Sequence, residues 1–443
     1  MVLHNARIYT EGSVSEAGVA VDAGKIVKVA KEPNLPFASE RLDLNGCLML
    51  PGLIDAHVHL RAQLQSYEED FFSGTTAAVT GGFTTVLDMP NNKPVTMNPA
   101  SLRERMQSAE GDIVANVGFY SAFPESLDEI SKIAREGAVG FKLYLNSQIG
   151  GIDVNDDEAL SNAFDRVGKV GVTVAVHAED KGAVEAISEA EQRLGHKELD
   201  AYLKAHTAEI EAKAVERILR IAGDSDVNVH FCHVSSNEAV TILNDARRNK
   251  LKVSCEVTPH NLLLTSDDLR KQGTMLLTDP PLRSIDVVNG LWNAVRNRQI
   301  DIIASDHAPH LISEKRAESI WDVKPGIPGL ETTLPLLLTE VNEGHLSIGM
   351  LVRLMAEKPA EVFHLNHDGA LKEGYNANIT VVDMHRKGRI DASKFCSKAK
   401  YSPFDGWVVK GMPVKTFVNG RLAMDEGEAV AEAGAGRVLR SGE

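Results

Sequence analysis

Two histidines one residue apart, His57 and His59, end the apolar run PGLIDAHVHLR. In an extended strand side chains repeat every second residue, so both imidazoles face one way and can bind one cation. Neutral imidazole is available near pH 7 and is the commonest metal-binding side chain. Ordinary strands also carry such pairs, so the meaning of this one depends on what the ends of later strands supply. Those ends carry Lys142 in GFKLYLN, His177 in VHAE, His233 in HFCHVSS, Glu256 with His260 in CEVTPH, and Asp306 with His307 and His310 in SDHAPH. Singly, each has a structural alternative: His177, His230, His260 and His307 as hydrogen-bonded histidines, Asp306 as a helix N-cap. Jointly they form a convergent set of nitrogen and carboxylate donors suited to a metal site.

Lys142 closes an apolar strand, where an ammonium is expensive unless paired. Burial favours the neutral amine of a lysine. Such an amine adds carbon dioxide to form a carbamate, an anion whose two oxygens can bridge two cations. Beside four histidines and an aspartate it would complete a site for two metals about 4 Å apart. The alternative is an ion pair of Lys142 with Glu256 or Asp306.

The elements that must position these groups are legible in the hydrophobic pattern. Apolar runs recur at 52–60, 84–90, 112–121, 138–146, 171–179, 227–235, 251–260 and 300–309, most of them separated by helical patterns such as SNEAVTILNDARRNK. Eight strands alternating with helices predict an α/β fold, a (β/α)₈ TIM-like barrel, whose chemistry lies at the C-terminal ends of its strands. Near-continuous hydrophobicity fits parallel strands covered on both faces. Both chain ends instead read as short strands broken by Gly, Asn and Pro, which predicts one small β-sandwich assembled from the two termini. The expected boundaries are 1–51 and 366–443 for the sandwich and tail, and 52–365 for the barrel. The last stretch, EGEAVAEAGAGRVLRSGE, is expected to be extended or frayed. An insertion at roughly 181–215 is expected to be helical.

The 443 residues carry a net charge of −15, without a Lys/Arg run, which argues against nucleic acid or an anionic membrane as the main partner. An anionic substrate would need a local Arg or metal to attract it. Cys47, Cys232, Cys255 and Cys396 lack C-x-x-C spacing, so neither a disulfide framework nor a zinc finger is indicated. With no basic leader and no apolar run of about 20 residues, a cytoplasmic location is the default expectation.

The segments PGLIDAHVHLR, GTTAAVTGGFTTVLDMPNN, GFKLYLN, VHAE, HFCHVSS, CEVTPH, DPPLR, SDHAPH and PGLETTLPLLL together resemble the amidohydrolase superfamily, and within it the lysine-carbamate dihydroorotases. GYNANITVVD and VKTFVNGRL extend the resemblance into the flanking β-unit. It implies one metal held by His57, His59 and Asp306, a second by His177 and His233, and carbamylated Lys142 bridging them. Zinc is the usual ion for such ligands, with Co or Mn as substitutes. It also implies that Arg61 and Asn91, with His310 as a third donor, grip a ring carboxylate, and an Arg fork matches a carboxylate bidentately. The implied reaction is reversible hydrolysis of dihydroorotate to N-carbamoyl-L-aspartate in pyrimidine biosynthesis, with Asp306 shuttling the proton. The implied partners are a second copy of the chain, as a dimer, and aspartate transcarbamoylase.

Two rivals remain at this stage: an allantoinase or hydantoinase gripping a neutral ring, and an inactive homologue serving as a scaffold. Two residues depart from the pattern. Asp279 in TDPPLR stands where relatives usually have Asn or a basic residue, and it would repel an anion unless it pairs with Arg283 or presents only its backbone. Asn261 follows His260 where many relatives have a second His. Residues 147–151, with two glycines, suit either a mobile loop over the site or a plain turn. Alternation along the strand places Cys232 opposite His233, toward the helix layer, and Glu256 inward. A third metal on Cys232 and Glu256 would need a bulge to turn the thiol in.

Overall fold

In the computed structural model, which describes residues 1–442, five strands open the chain: β1 (Val2–Thr10), β2 (Ser13–Asp22), β3 (Lys25–Ala30), β4 (Arg41–Asp43) and β5 (Leu48–Pro51). Eight parallel strands follow: β6 (Leu53–Val58), β7 (Phe83–Asp88), β8 (Asn116–Ala122), β9 (Gly140–Tyr144), β10 (Thr173–His177), β11 (Asn228–Phe231), β12 (Val253–Val257) and β13 (Ile302–Ile303). The chain returns through β14 (Ile379–Arg389), β15 (Val408–Val418), β16 (Arg421–Asp425), β17 (Glu428–Ala429) and β18 (Val438–Leu439). β14 pairs with β5, so strands from both chain ends form one mixed sheet, β17-β16-β15-β14-β5-β1-β2-β3 with β4 on β1. That sheet wraps a core of its own in which Val19, Val21 and Ile26 meet Val414 and Phe417. The sheet from both termini and the eight-stranded barrel are as the sequence predicts.

The barrel is nearly closed. From β6 to β13 each strand is laddered to the next, but β13 and β6 share no ladder. Their ends meet through one isolated bridge, Val58 with His307, where His59 N donates to His307 O at 2.8 Å. Below it the Asp55 carboxylate accepts from Ser305 N at 3.1 Å, standing in for a missing backbone rung. The eighth strand is therefore much shorter than the 300–309 run suggests. Ile54, Ala56, Leu87, Tyr120, Ala175 and Ile302 fill the interior, capped from below by Phe363.

Of the two outcomes expected for the tail, the described residues take the extended one near its end. Val438–Leu439 pairs in parallel with Val117–Gly118 of β8, and Val117 N donates to Arg437 O at 2.9 Å. β9 joins β8 only from Tyr120 onward, which leaves the lower edge of β8 open to this added strand. Gly436 permits the approach: a Cβ there would sit 2.1 Å from Ala115 O. The insertion is helical as expected, with helices at Lys181–Arg193, Leu199–Ala205 and Ala208–Ala222.

Candidate active site

A bulge aims the first two histidines. Between Asp55 and Val58 the ladder to β7 skips a residue, so Ile54 and Ala56 face the interior and, past the bulge, His57 and His59 do too. Their Nε2 atoms converge on Asp306 Oδ1, at 3.3 Å from His57 and 3.2 Å from His59. Each ring is oriented from behind, His57 Nδ1 by Glu256 Oε1 at 2.5 Å and His59 Nδ1 by Asn91 Oδ1 at 2.8 Å. Such outer partners fix the ring tautomer and leave Nε2 free for a cation. Asp306 is no helix cap; the next α-helix begins at Leu330.

A second pair of nitrogens, His177 Nδ1 and His233 Nε2, lies 3.0 Å apart. His177 Nε2 is held by Glu179 Oε2 at 2.8 Å, while His233 Nδ1 is buried without a partner. His233 reaches the interior through a left-handed backbone, φ 35°. This corrects the expectation for Cys232. Strand alternation puts His230 and Cys232 inward together, and the turn at His233 brings the next side chain in as well. Cys232 Sγ therefore lies 3.0 Å from Lys142 Nζ, and His57, Cys232 and Glu256 form a cluster beneath the histidines. Lys142 is wholly buried, its Nζ 4.9 Å from the Tyr144 ring centre, and it makes no ion pair with Glu256 or Asp306. His230 is structural, bonded to Ser254 and Glu256. His307 is too, with Nδ1 accepting from Gly329 N at 3.1 Å.

The electrostatics call for positive charge at this spot. Burial and Lys142 push charge off His57, yet Glu256 and Asp306 outweigh them and raise its pKa to about 10. Burial, with Arg61 and His57, lowers His59 to about 4, which keeps it neutral. Burial disfavours charge on Asp306, but His57 and His59 hold its carboxyl well below the usual range. Facing nitrogens 3.0 Å apart, an orphaned His233 Nδ1 and an ionised buried aspartate between imidazoles fit cation binding.

Above this cluster lies a cavity of about 220 Å³, lined by His57, His59, His233 and Asp306 together with Arg61, Asn91 and His310. Arg61 Nη2 is 3.1 Å from His310 Nε2. Behind them Glu68 Oε2 meets Arg61 Nε at 3.2 Å and His310 Nδ1 at 3.1 Å, a link the sequence did not reveal. Ser147 and Ile149 form part of the cavity wall, and Gly151 packs where a Cβ would meet Glu125 N at 2.3 Å. Asp279 also lines the cavity, and its partner is not Arg283. Arg283 bonds Ser235 Oγ and His206 O, while Asp279 faces His206 Nδ1 at 3.2 Å and accepts from Asn146 Nδ2 at 2.8 Å. Asn261 is buried in the short helix Pro259–Leu263, its backbone N–H donating to the capping Thr258 Oγ1, and it touches none of these groups by hydrogen bond.

Glu68 gives a pH signature. Burial opposes its charge, but His310 and Arg61 lower it from 4.5 to about 2. A depressed carboxyl stabilises the fold above its unfolded pKa, and that contribution is lost as protons bind between the two values. Thermal melts of Glu68→Gln should therefore lie below those of the unmodified chain at pH 6 and converge with them as pH falls from about 4.5 toward about 2. A gap that stays constant with pH would show that Glu68 is not ionised in this cluster.

Residues 48–423 match the Amidohydrolase family. A dihydroorotase of Methanothermobacter thermautotrophicus is 38% identical over 431 residues, 97% of this chain and 95% of that one. An L-hydantoinase of Paenarthrobacter aurescens is 32% identical over 446 residues, 99% of this chain and 97% of that one. Among solved structures, the L-hydantoinase (dihydropyrimidinase) from Arthrobacter aurescens superposes with a TM-score of 0.95 at 31% identity, covering 99% of both chains. Among the described residues no helix is long and apolar enough to cross a membrane.

Proposed function

The chain belongs to the amidohydrolase family, and from that premise we propose that it is a cyclic amidohydrolase whose substrate is dihydroorotate, opened reversibly to N-carbamoyl-L-aspartate. The observation that carries the choice of substrate is the placing of Arg61, Asn91 and His310 on one rim of the cavity that His57, His59, His233 and Asp306 floor. A guanidinium and an amide NH₂ are a matched pair for a carboxylate. His310, whose nitrogens here face Arg61, Pro325 O and Glu68, would add a third donor by exchanging one of those partners. His57, His59 and Asp306 would hold one divalent ion and His177 and His233 another, with Lys142, as its carbamate, shared between them. Zinc suits this donor set. Ions so held supply Lewis acidity and bring the pKa of a bound water near neutrality.

The side chains do the rest. Arg61, braced by Glu68, fixes the ring by its carboxylate and so sets the amide carbonyl over the histidine cluster. Asn91 keeps His59 in its ligand tautomer through Oδ1, and its NH₂ makes no other hydrogen bond among the described residues, leaving it for the substrate. Asp306 accepts the proton released by the attacking water and returns it to the departing ring nitrogen, so hydrolysis consumes one water and leaves no net proton on the enzyme. In the biosynthetic direction the same carboxylate takes a carbamoyl proton.

One observation favours a second reading, an enzyme for neutral rings such as hydantoin: Glu68 already counters the charge of Arg61. Purified protein offered dihydroorotate, hydantoin and allantoin, with and without chelator, separates the two. Chelator-sensitive turnover of dihydroorotate well above the other two is expected, and Arg61→Met should raise KM for dihydroorotate about 100-fold, the weight of a charge-assisted pair. Faster turnover of hydantoin, unaffected by Arg61→Met, would install the second reading instead.

A further inference from the structure

Asp279 is, with Asp306, one of the two carboxylates that line the cavity. One of its oxygens lies within 4.8 Å of ligand atoms of His177 and Glu179, and its hydrogen bonding is incomplete. A carboxylate offers about four acceptor positions. Among the described residues Asn146 Nδ2 donates to Asp279 at 2.8 Å on Oδ2, while the Tyr202 hydroxyl and the Glu179 carboxyl face the same side chain without well-formed hydrogen bonds. Oδ1 faces His206 Nδ1 at 3.2 Å, but that nitrogen carries a single hydrogen and lies closer, at 2.9 Å, to Glu179 Oε1. Asp279 Oδ1 is thus left without a hydrogen-bond partner. The charge is only partly offset: burial opposes protonation of His206, while Glu179 and Asp279 raise it to about 10, placing one imidazolium between two carboxyl groups. Burial and Glu179 push the Asp279 carboxyl up against the pull of His206. His206 is in turn fixed by the Tyr202 ring, stacked at 4.1 Å, and by Arg283 bonded to its carbonyl oxygen.

The placement has a direction. Arg61, Asn91 and His310 follow β6, β7 and β13, neighbours across the barrel seam, whereas Asn146 follows β9, opposite the seam. Asp279 comes from the long excursion after β12, the neighbour of β13, but its contacts with Asn146 and with His206, which follows β10, draw it toward that side. A small ring held at one end by its acceptor or anionic group presents its opposite edge to Asp279. On a cyclic amide that edge carries N–H. A carboxylate with an unpartnered oxygen and spare acceptor capacity is the complement of an N–H donor.

We propose that Asp279, held in place by His206 and Asn146, reads the substrate by accepting a hydrogen bond from a ring N–H. The inference rests on the cyclic-amide reading above and names the contact that sets its specificity. A site built to take a hydrogen bond rejects an analogue that lacks the donor, because its own acceptor is then left unpaired. An N-methylated ring loses the donor; it should bind this enzyme poorly.

The test uses the metal-loaded enzyme, its Asp279→Ala and Asp279→Asn variants, dihydroorotate, and its two mono-N-methyl analogues scored as competitive inhibitors. Asp279→Ala is expected to raise KM for dihydroorotate about 10- to 100-fold, the weight of a hydrogen bond to a charged group. Its discrimination against one of the two N-methyl analogues should shrink by at least about 10-fold, since that contact is already absent there. Asp279→Asn, which keeps shape and an acceptor oxygen, should fall between and carries the test if the alanine variant does not fold. Unchanged discrimination in both variants, or an equal loss for all three ligands, overturns the inference alone. Absence of chelator-sensitive turnover by the unmodified enzyme overturns the functional reading and this inference with it.

Discussion

Asp306→Asn should reduce kcat by about 10³- to 10⁴-fold, the upper range for loss of a general acid–base group. The carboxylate sits within 3.3 Å of both His57 and His59, in a spot where those two imidazoles hold it ionised against its burial. Asparagine preserves the size and one oxygen donor, but it cannot accept a proton at neutral pH. Metal analysis of the variant separates the two roles of the residue. Near-normal metal content with lost turnover marks Asp306 as the proton carrier, whereas loss of one ion per chain marks it chiefly as a ligand. Turnover above about a tenth of normal would remove Asp306 from the chemistry.

Lys142→Ala should lose metal and activity together. The side chain is wholly buried, and its nearest polar neighbour is the Cys232 thiol rather than a carboxylate. A lysine that no acid neutralises, beside facing histidine nitrogens, is placed to take up carbon dioxide and become an anion there. Truncation leaves a cavity, so stability falls as well, by about 2–5 kcal/mol if the site does not collapse. Lys142→Met fills that space without the amine and isolates the chemical role. Short carboxylic acids should restore part of the activity to the alanine variant, which has room for them, and none to the methionine variant. Full metal content and full rate in Lys142→Ala would exclude a bridging carbamate.

How much of this could be read beforehand depends on the range of the interaction. The barrel was legible because eight apolar runs are a local signal, and the donor set because each donor ends one of those runs. The inward facing of His57 and His59 follows from spacing, but it is a bulge against β7 that delivers it. At Cys232 the same alternation rule misled: the left-handed residue is His233, so thiol and imidazole both face in. Asp279 looked anomalous because its partner, His206, comes from an insertion with no periodic tie to it. Glu68 sits in the irregular loop after β6, whereas Glu179, two residues beyond His177, was within reach of the alternation rule and was missed. The docked tail escaped notice because glycine and alanine carry almost no strand signal, and an open stretch of β8 edge is a property of the fold alone.

The seam between the first and last barrel strands has a mechanical meaning. Seven of the eight junctions are backbone ladders, and the eighth is a single bridge helped by Asp55. His57 and His59 stand on one side of that gap and Asp306 on the other. A cation shared among them would be a clasp across the one break in the hoop. Demetallation should then loosen the barrel along this line first, with amide exchange quickening at Val58–Leu60 and Ser305–Ala308 before it does so around the rest of the ring.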